Sequence, residues 1–213
     1  MHPSRARAFT LIELLVVMTL ISGLAGLLLP ALGRARERAK VIRVHAELYG
    51  IGLALAMYAD DYAGRLPPVR VNCNSDLAGH WCQLPVELAA LGYLPRGRRA
   101  GREADLEDLF HRGYTYKYAA PGPQLLNGDP VGNYRLWVPD DAPEGRAESG
   151  RYYAEPGASP VRWVVWSVGP RPDSPGSRDP HAPLIRRSWY QCAGGGGVIV
   201  RFATRDGRQY KSP

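Results

Sequence analysis

Catalytic signatures are missing from this sequence. It has no His-Glu-x-x-His, no Gly-x-Ser-x-Gly and no paired-carboxylate constellation, and Gly194–Gly197 is followed by no Lys-Ser/Thr. The glycine run reads as a loop, and the expectation is a protein that is not an enzyme and carries no cofactor. Histidine is scarce and scattered: five residues, of which His2 lies near the start, His45 in a helical pattern, and His80, His111 and His181 in loop-like sequence. Basic charge is scarce too, once it is located. The net charge is +7, but residues 34–43 alone (Arg34, Arg36, Arg38, Lys40 and Arg43 against Glu37) carry +4 of it. The run Arg96, Arg98, Arg99 and Arg102 is cancelled by Glu103, Asp105, Glu107 and Asp108. A nucleic-acid footprint would spread over a face of the domain. One basic cluster directly after an apolar segment reads instead as juxtamembrane, with lipids and not nucleic acid as the partner.

That apolar segment is what the sequence does contain. Residues 9–33 read FTLIELLVVMTLISGLAGLLLPALG, with no charge between Leu14 and Leu32. At about 1.5 Å per residue, and with Phe9 to Ile12 added, the segment spans a hydrocarbon core of roughly 30 Å. A buried core helix would show a polar face, and none is present. A cleavable secretory signal would be shorter, and no clear A-x-A site precedes a polar mature start. Glu13 breaks the pattern. A carboxylate near the bilayer centre costs on the order of 2.5–3.5 kcal/mol, less near a helix end, and it demands a partner or a function.

Val41, Val44, Leu48, Ile51, Leu55, Tyr58 and Tyr62 then follow 3-4 spacing, with Arg36, Lys40, Arg43, Glu47 and Asp61 on another face. This predicts an amphipathic helix over 34–63 that packs on a domain, and Pro67-Pro68 forbids its continuation. Residues 64–213 hold 19 Gly and 17 Pro. They show one short helical stretch, Leu84–Leu94, and strand-like runs at Tyr114–Tyr118, Tyr134–Val138, Val161–Val168 and Val198–Ala203. Asp206-Gly207 marks a hairpin turn before Gln209-Tyr210. The expected fold is α+β: a long N-terminal helix packed on a small antiparallel sheet with long loops.

Ala8-Phe9-Thr10-Leu11-Ile12-Glu13, after the basic leader Met1–Arg7, closely resembles the signal of type IV pilins and type II secretion pseudopilins. The resemblance implies a leader of residues 1–8, cleavage by prepilin peptidase between Ala8 and Phe9, and an N-methylated Phe9. Glu13 becomes the fifth-position glutamate, and Pro30 falls where many of these proteins have a helix-kinking proline. Ala8 departs from the usual glycine. The Tyr58-Ala59-Asp60-Asp61 ending, with Gly64 and Pro67 after it, resembles proteins related to the major pseudopilin.

The resemblance implies a pilin-like subunit of a type II secretion pseudopilus or type IV pilus. Its partners are other pilin or pseudopilin subunits and an inner-membrane assembly platform, and its domain, residues 64–213, lies outside the cytoplasm. The charge count around residues 9–33 alone would place that domain inside; the cleavage motif overrides it. The rival of another class is an extracytoplasmic enzyme or binding protein that uses residues 9–33 only as an anchor.

In this topology a Cys73–Cys82 disulfide closes a short loop. Pairing through Cys192, free thiols, or a zinc site with His80 are the alternatives, and the spacing matches no known zinc pattern. Ser167-Val168-Gly169-Pro170 with Asp173 loosely resembles the calcium-binding loop region of major pseudopilins, where Asp173, Ser174, Ser177 and Asp179 would offer oxygens. Arg171 and Pro172 intrude, so a proline-rich turn without metal is expected.

Overall fold

The computed structural model describes residues 10–71, 82–95, 106–178, 183–191 and 195–213. The chain divides into two compact units, Met1–Lys40 and Val41–Pro213. Helix α1, Leu11–Asp61, belongs to both. In the first unit it carries an 18-residue window of mean hydropathy 2.3 with none of its residues buried. By length and composition it can cross a membrane. The helix runs through Pro30, whose ring supplies no N–H to the carbonyl four residues back.

In the second unit the 3-4 stripe is the buried face: Val41, Val44, Leu48, Ile51, Leu55 and Tyr58 are all buried. Tyr62, the last member of the predicted stripe, is instead 36% exposed, because the helix is ending there. It stacks on Tyr58 with ring centroids 4.3 Å apart. The termination is a Schellman-type turn. Gly64 N–H donates to the Ala59 carbonyl at 2.7 Å, and Ala63 takes the left-handed φ of +53° that this closure requires.

Three small sheets follow. The largest is antiparallel, in the order β2 (Lys117–Ala119), β7 (Val161–Ser167), β8 (Ile199–Thr204) and β9 (Gln209–Lys211). β7 is buried along nearly its whole length, as a central strand covered on both faces must be. One face carries Trp163, against Gly52 of α1, and Arg201, whose guanidinium lies 4.9 Å from the Tyr49 ring centroid. The other face carries Phe202, packed on Trp189 and Tyr210. Asp206-Gly207 makes the β8–β9 turn as expected, with Gly207 at φ +83°.

The second sheet is β1 (Val69–Val71), β3 (Gly122–Leu126) and β4 (Asp129–Tyr134), and the third is β5 (Leu136–Pro139) with β6 (Gly150–Tyr153). The single antiparallel sheet of the sequence reading is thus three. β1 and β3 pair in parallel, which takes a long crossover connection; this one contains the short helix α2 (Val86–Ala90) and strand β2. The fold is α+β, with the helix packed on small, mainly antiparallel sheets.

The chain's last residues reach back to α1. His45 Nε2 lies 3.4 Å from the Pro213 carbonyl oxygen, and its Nδ1 is buried without a partner. Burial, and then the charges of Lys211 and Arg201, hold this imidazole below its ordinary pKa. The unfolded chain therefore takes up a proton near pH 6.5 that the folded chain refuses, so stability falls as pH drops below about 6.5. We expect His45→Gln to reduce that acid sensitivity. The readout is the unfolding temperature at pH 8 and pH 5: the drop should be smaller in the variant than in the parent, and equal drops would show that His45 does not contribute.

Candidate functional site

Ala8 and Phe9 lie outside the described residues, so the site is visible from Thr10 onward. There the helix opens with a reciprocal cap. The Thr10 N–H and hydroxyl donate to Glu13 Oε2 at 2.8 and 2.7 Å, and the Glu13 N–H donates back to Thr10 Oγ1 at 3.3 Å. This is a capping box, signalled by Thr-x-x-Glu just before an apolar run. Reading Glu13 only as a carboxylate in need of a partner missed it. The cap satisfies two orphan donors at the helix start and places a carboxylate at the positive end of the helix dipole. Glu13 is thus held beside the first residues of the helix, with its Oε1 having no described hydrogen bond there. Around it Leu11, Ile12, Leu14 and Leu15 are exposed, at 84%, 74%, 53% and 59%. One polar atom cluster on an otherwise apolar rod is suited to fixing register against another apolar rod carrying a positive charge.

Pro30 lies further along the same helix, and in the second unit α1 exposes several large apolar residues. Ile42, Tyr49, Leu53 and Met57 are 69%, 48%, 45% and 55% exposed. Their 7-4-4 spacing puts them on one face, opposite the buried stripe.

The Ser167–Pro170 loop is held by a buried carboxylate. Asp108, fully buried, accepts the Ser167 hydroxyl (2.7 Å) and the Phe110 N–H (3.0 Å) at Oδ1, and the Val168 N–H (3.1 Å) at Oδ2. Burial pushes its carboxyl above the ordinary range, against the pull of these three donors. The Ser177 hydroxyl donates to the Val168 carbonyl, and Ser174 Oγ accepts the Ser177 and Gly197 N–H groups. These serine oxygens close the loop on itself. Asp179 lies outside the described residues. Among the described residues no three His, Cys, Asp or Glu side chains gather as a metal set.

Cys82 is a buried thiol whose partner in the proposed bridge, Cys73, lies outside the described residues, as does Cys192. Burial pushes the Cys82 thiol up to about 11. In reduced form it is therefore a poor nucleophile at neutral pH. An open cleft of about 320 Å³ lies between Glu144, Arg186, Trp189, Tyr210 and Lys211. Its lining also includes Ser212, whose hydroxyl oxygen accepts the Val200 N–H at 3.0 Å.

No curated protein and no solved structure matches the chain. Residues 3–29 match the family model of the prokaryotic N-terminal methylation motif, which covers the basic leader, the Ala8–Phe9 junction, Glu13 and most of the apolar span, so the N-terminal segment is of the prepilin type.

Proposed function

We propose that the chain is a structural subunit of a pilin-type filament, either a type II secretion pseudopilus or a type IV pilus, and has no catalytic role of its own. Prepilin peptidase removes residues 1–8, and Phe9 becomes the N-methylated first residue. The apolar half of α1 holds the subunit in the inner membrane, with residues 64–213 outside the cytoplasm. An assembly platform then moves it into a filament whose core is packed α1 helices. The observation that carries this reading is the methylation motif at the head of an apolar helix whose one carboxylate, Glu13, sits at its start. Two features support packing between copies. No described residue of the apolar half is buried, and in the second unit Ile42, Leu53 and Met57 of the same helix are exposed as well.

The test is mass spectrometry of the protein from a host with active prepilin peptidase. The expected product begins at Phe9, carries one methyl group on its α-amine, and lacks the mass of residues 1–8. An intact Met1 terminus, or an unmodified chain cut elsewhere, would overturn the reading in favour of a plain membrane anchor.

A further inference from the structure

We propose that Arg34, Arg36, Arg38 and Lys40 form a collar that binds the headgroups of anionic phospholipids where α1 leaves the membrane. The inference rests on the membrane-spanning reading of α1, and it is independent of processing and of filament assembly. The four residues begin two positions after Leu32, the end of the uncharged run, and all four are exposed. At about 1.5 Å per residue they occupy about 9 Å of helix axis. The polar zone of one leaflet is roughly 5–7 Å deep, and long basic side chains reach back along the helix to it.

Their angular placement matters more than their number. At about 100° per residue, Arg34 and Arg38 fall on one side of the helix, and Arg36 and Lys40 fall nearly opposite. A protein partner would meet one side. A headgroup plane surrounds the helix and meets both.

The sequence around the collar does not balance this charge. Arg34–Arg38 and Arg36–Lys40 are like-charge pairs at i,i+4, a spacing that disfavours the helix unless counter-charge is near. Glu37 is the single acidic residue among them, which leaves a net charge of +3 over seven residues. Arg43, the next cation, is taken by Glu47 at 2.8 Å. No residue of α1 before Val41 is buried, so no described residue of the first unit covers the collar. Phosphate oxygens of anionic lipids supply counter-charge on every side and at the right depth.

The experiment reconstitutes the full chain in phosphatidylcholine bilayers doped with spin-labelled phosphatidylglycerol or spin-labelled phosphatidylcholine. The motionally restricted fraction of each label reports lipid in contact with the protein. Each basic residue near an anionic surface is worth about a fivefold change. With partial screening, we expect phosphatidylglycerol to be enriched several-fold over phosphatidylcholine at low salt. High salt should remove most of that preference. The variant R34Q/R36Q/R38Q/K40Q should bring the ratio to near one. Because the four side chains are exposed, its near-ultraviolet circular dichroism should match the parent's. Equal restriction of the two lipids by the parent, or a preference that survives in the variant, would overturn the collar. Recovery of the protein in the bilayer fraction after an alkaline wash tests the anchor separately: protein lost to the supernatant refutes the span, while retained protein with no lipid preference refutes only the collar.

Discussion

Gly52→Leu is expected to lower the unfolding temperature of the chain by roughly 6–12 °C, the equivalent of about 3 kcal/mol of overpacking. Gly52 faces the sheet from the C-terminal part of α1. A Cβ placed there would lie 2.9 Å from Trp163 Cη2 and 3.2 Å from Gln209 Oε1. The Trp163 ring is rigid and only 3% exposed, so it cannot swing into solvent to make room. Leu adds three more carbons to that collision.

Gly50, two residues away on the same helix, provides the control, because a Cβ there meets nothing within 4 Å. Gly50→Ala should therefore gain the helix-propensity difference, about 1 kcal/mol, and raise the unfolding temperature. Gly52→Ala receives the same propensity gain, and the clash offsets or exceeds it. The difference between the two alanine variants isolates the helix–sheet contact. The measurement is thermal unfolding of the full chain in detergent, followed by near-ultraviolet circular dichroism. An unchanged unfolding temperature for Gly52→Leu would show that α1 does not lie against Trp163.

Neither glycine stood out in the sequence, and the reason is general to this fold. The α1 stripe was legible because apolar residues at 3-4 spacing have few other readings. The runs Val161–Val168 and Val198–Ala203 were legible as the two central strands, Val161–Ser167 and Ile199–Thr204, because both faces of those strands are covered. Tyr114–Tyr118 overlaps only the start of its strand, Lys117–Ala119. The β3–β4 hairpin was missed although Asn127-Gly128 marks it, with φ of +51° and +99°. Its strands carry Pro123, Pro130 and Gly132, residues that ordinarily demote a strand. Pro130 and Gly132 are tolerated because β4 is an exposed edge strand, and Pro123 because it sits at a bulge in β3, just before the stretch that pairs with β1. Asp108 was counted only as a charge cancelling nearby arginines. Its bond from the Phe110 N–H is a local turn, but its role as acceptor for Ser167 and Val168 depends on a contact across about sixty positions, which no local pattern encodes. At the processing end the position of Glu13 was legible, but the use of its carboxylate at the start of the helix was not, since attention to its charge hid its spacing from Thr10.

That spacing makes Glu13→Gln a cleaner experiment than removal of the side chain. Glutamine also serves at the third helical position of a capping box, so the variant keeps an acceptor for the Thr10 N–H and hydroxyl and loses only the charge. Insertion into the membrane should be unchanged or improved, because a costly charge is gone. Folding of residues 41–213, a separate compact unit, should not change. The proposed cleavage after Ala8 should persist, since the variant leaves that junction unchanged. Filament incorporation, in contrast, should fall at least a hundredfold. In the proposed filament the α-amine of Phe9 in one subunit meets Glu13 of its neighbour, and breaking one side of a buried ion pair costs about 3–5 kcal/mol because the other charge is left bare. Glu13→Ala should lose incorporation as well and also weaken the helix start, by about 1 kcal/mol for the lost cap. Co-expression with the assembly machinery, with membrane and filament pools scored separately, distinguishes these outcomes. If the Gln variant enters filaments at the parent's level, the charge does no work in assembly, and the capping bonds with Thr10 are all that Glu13 provides.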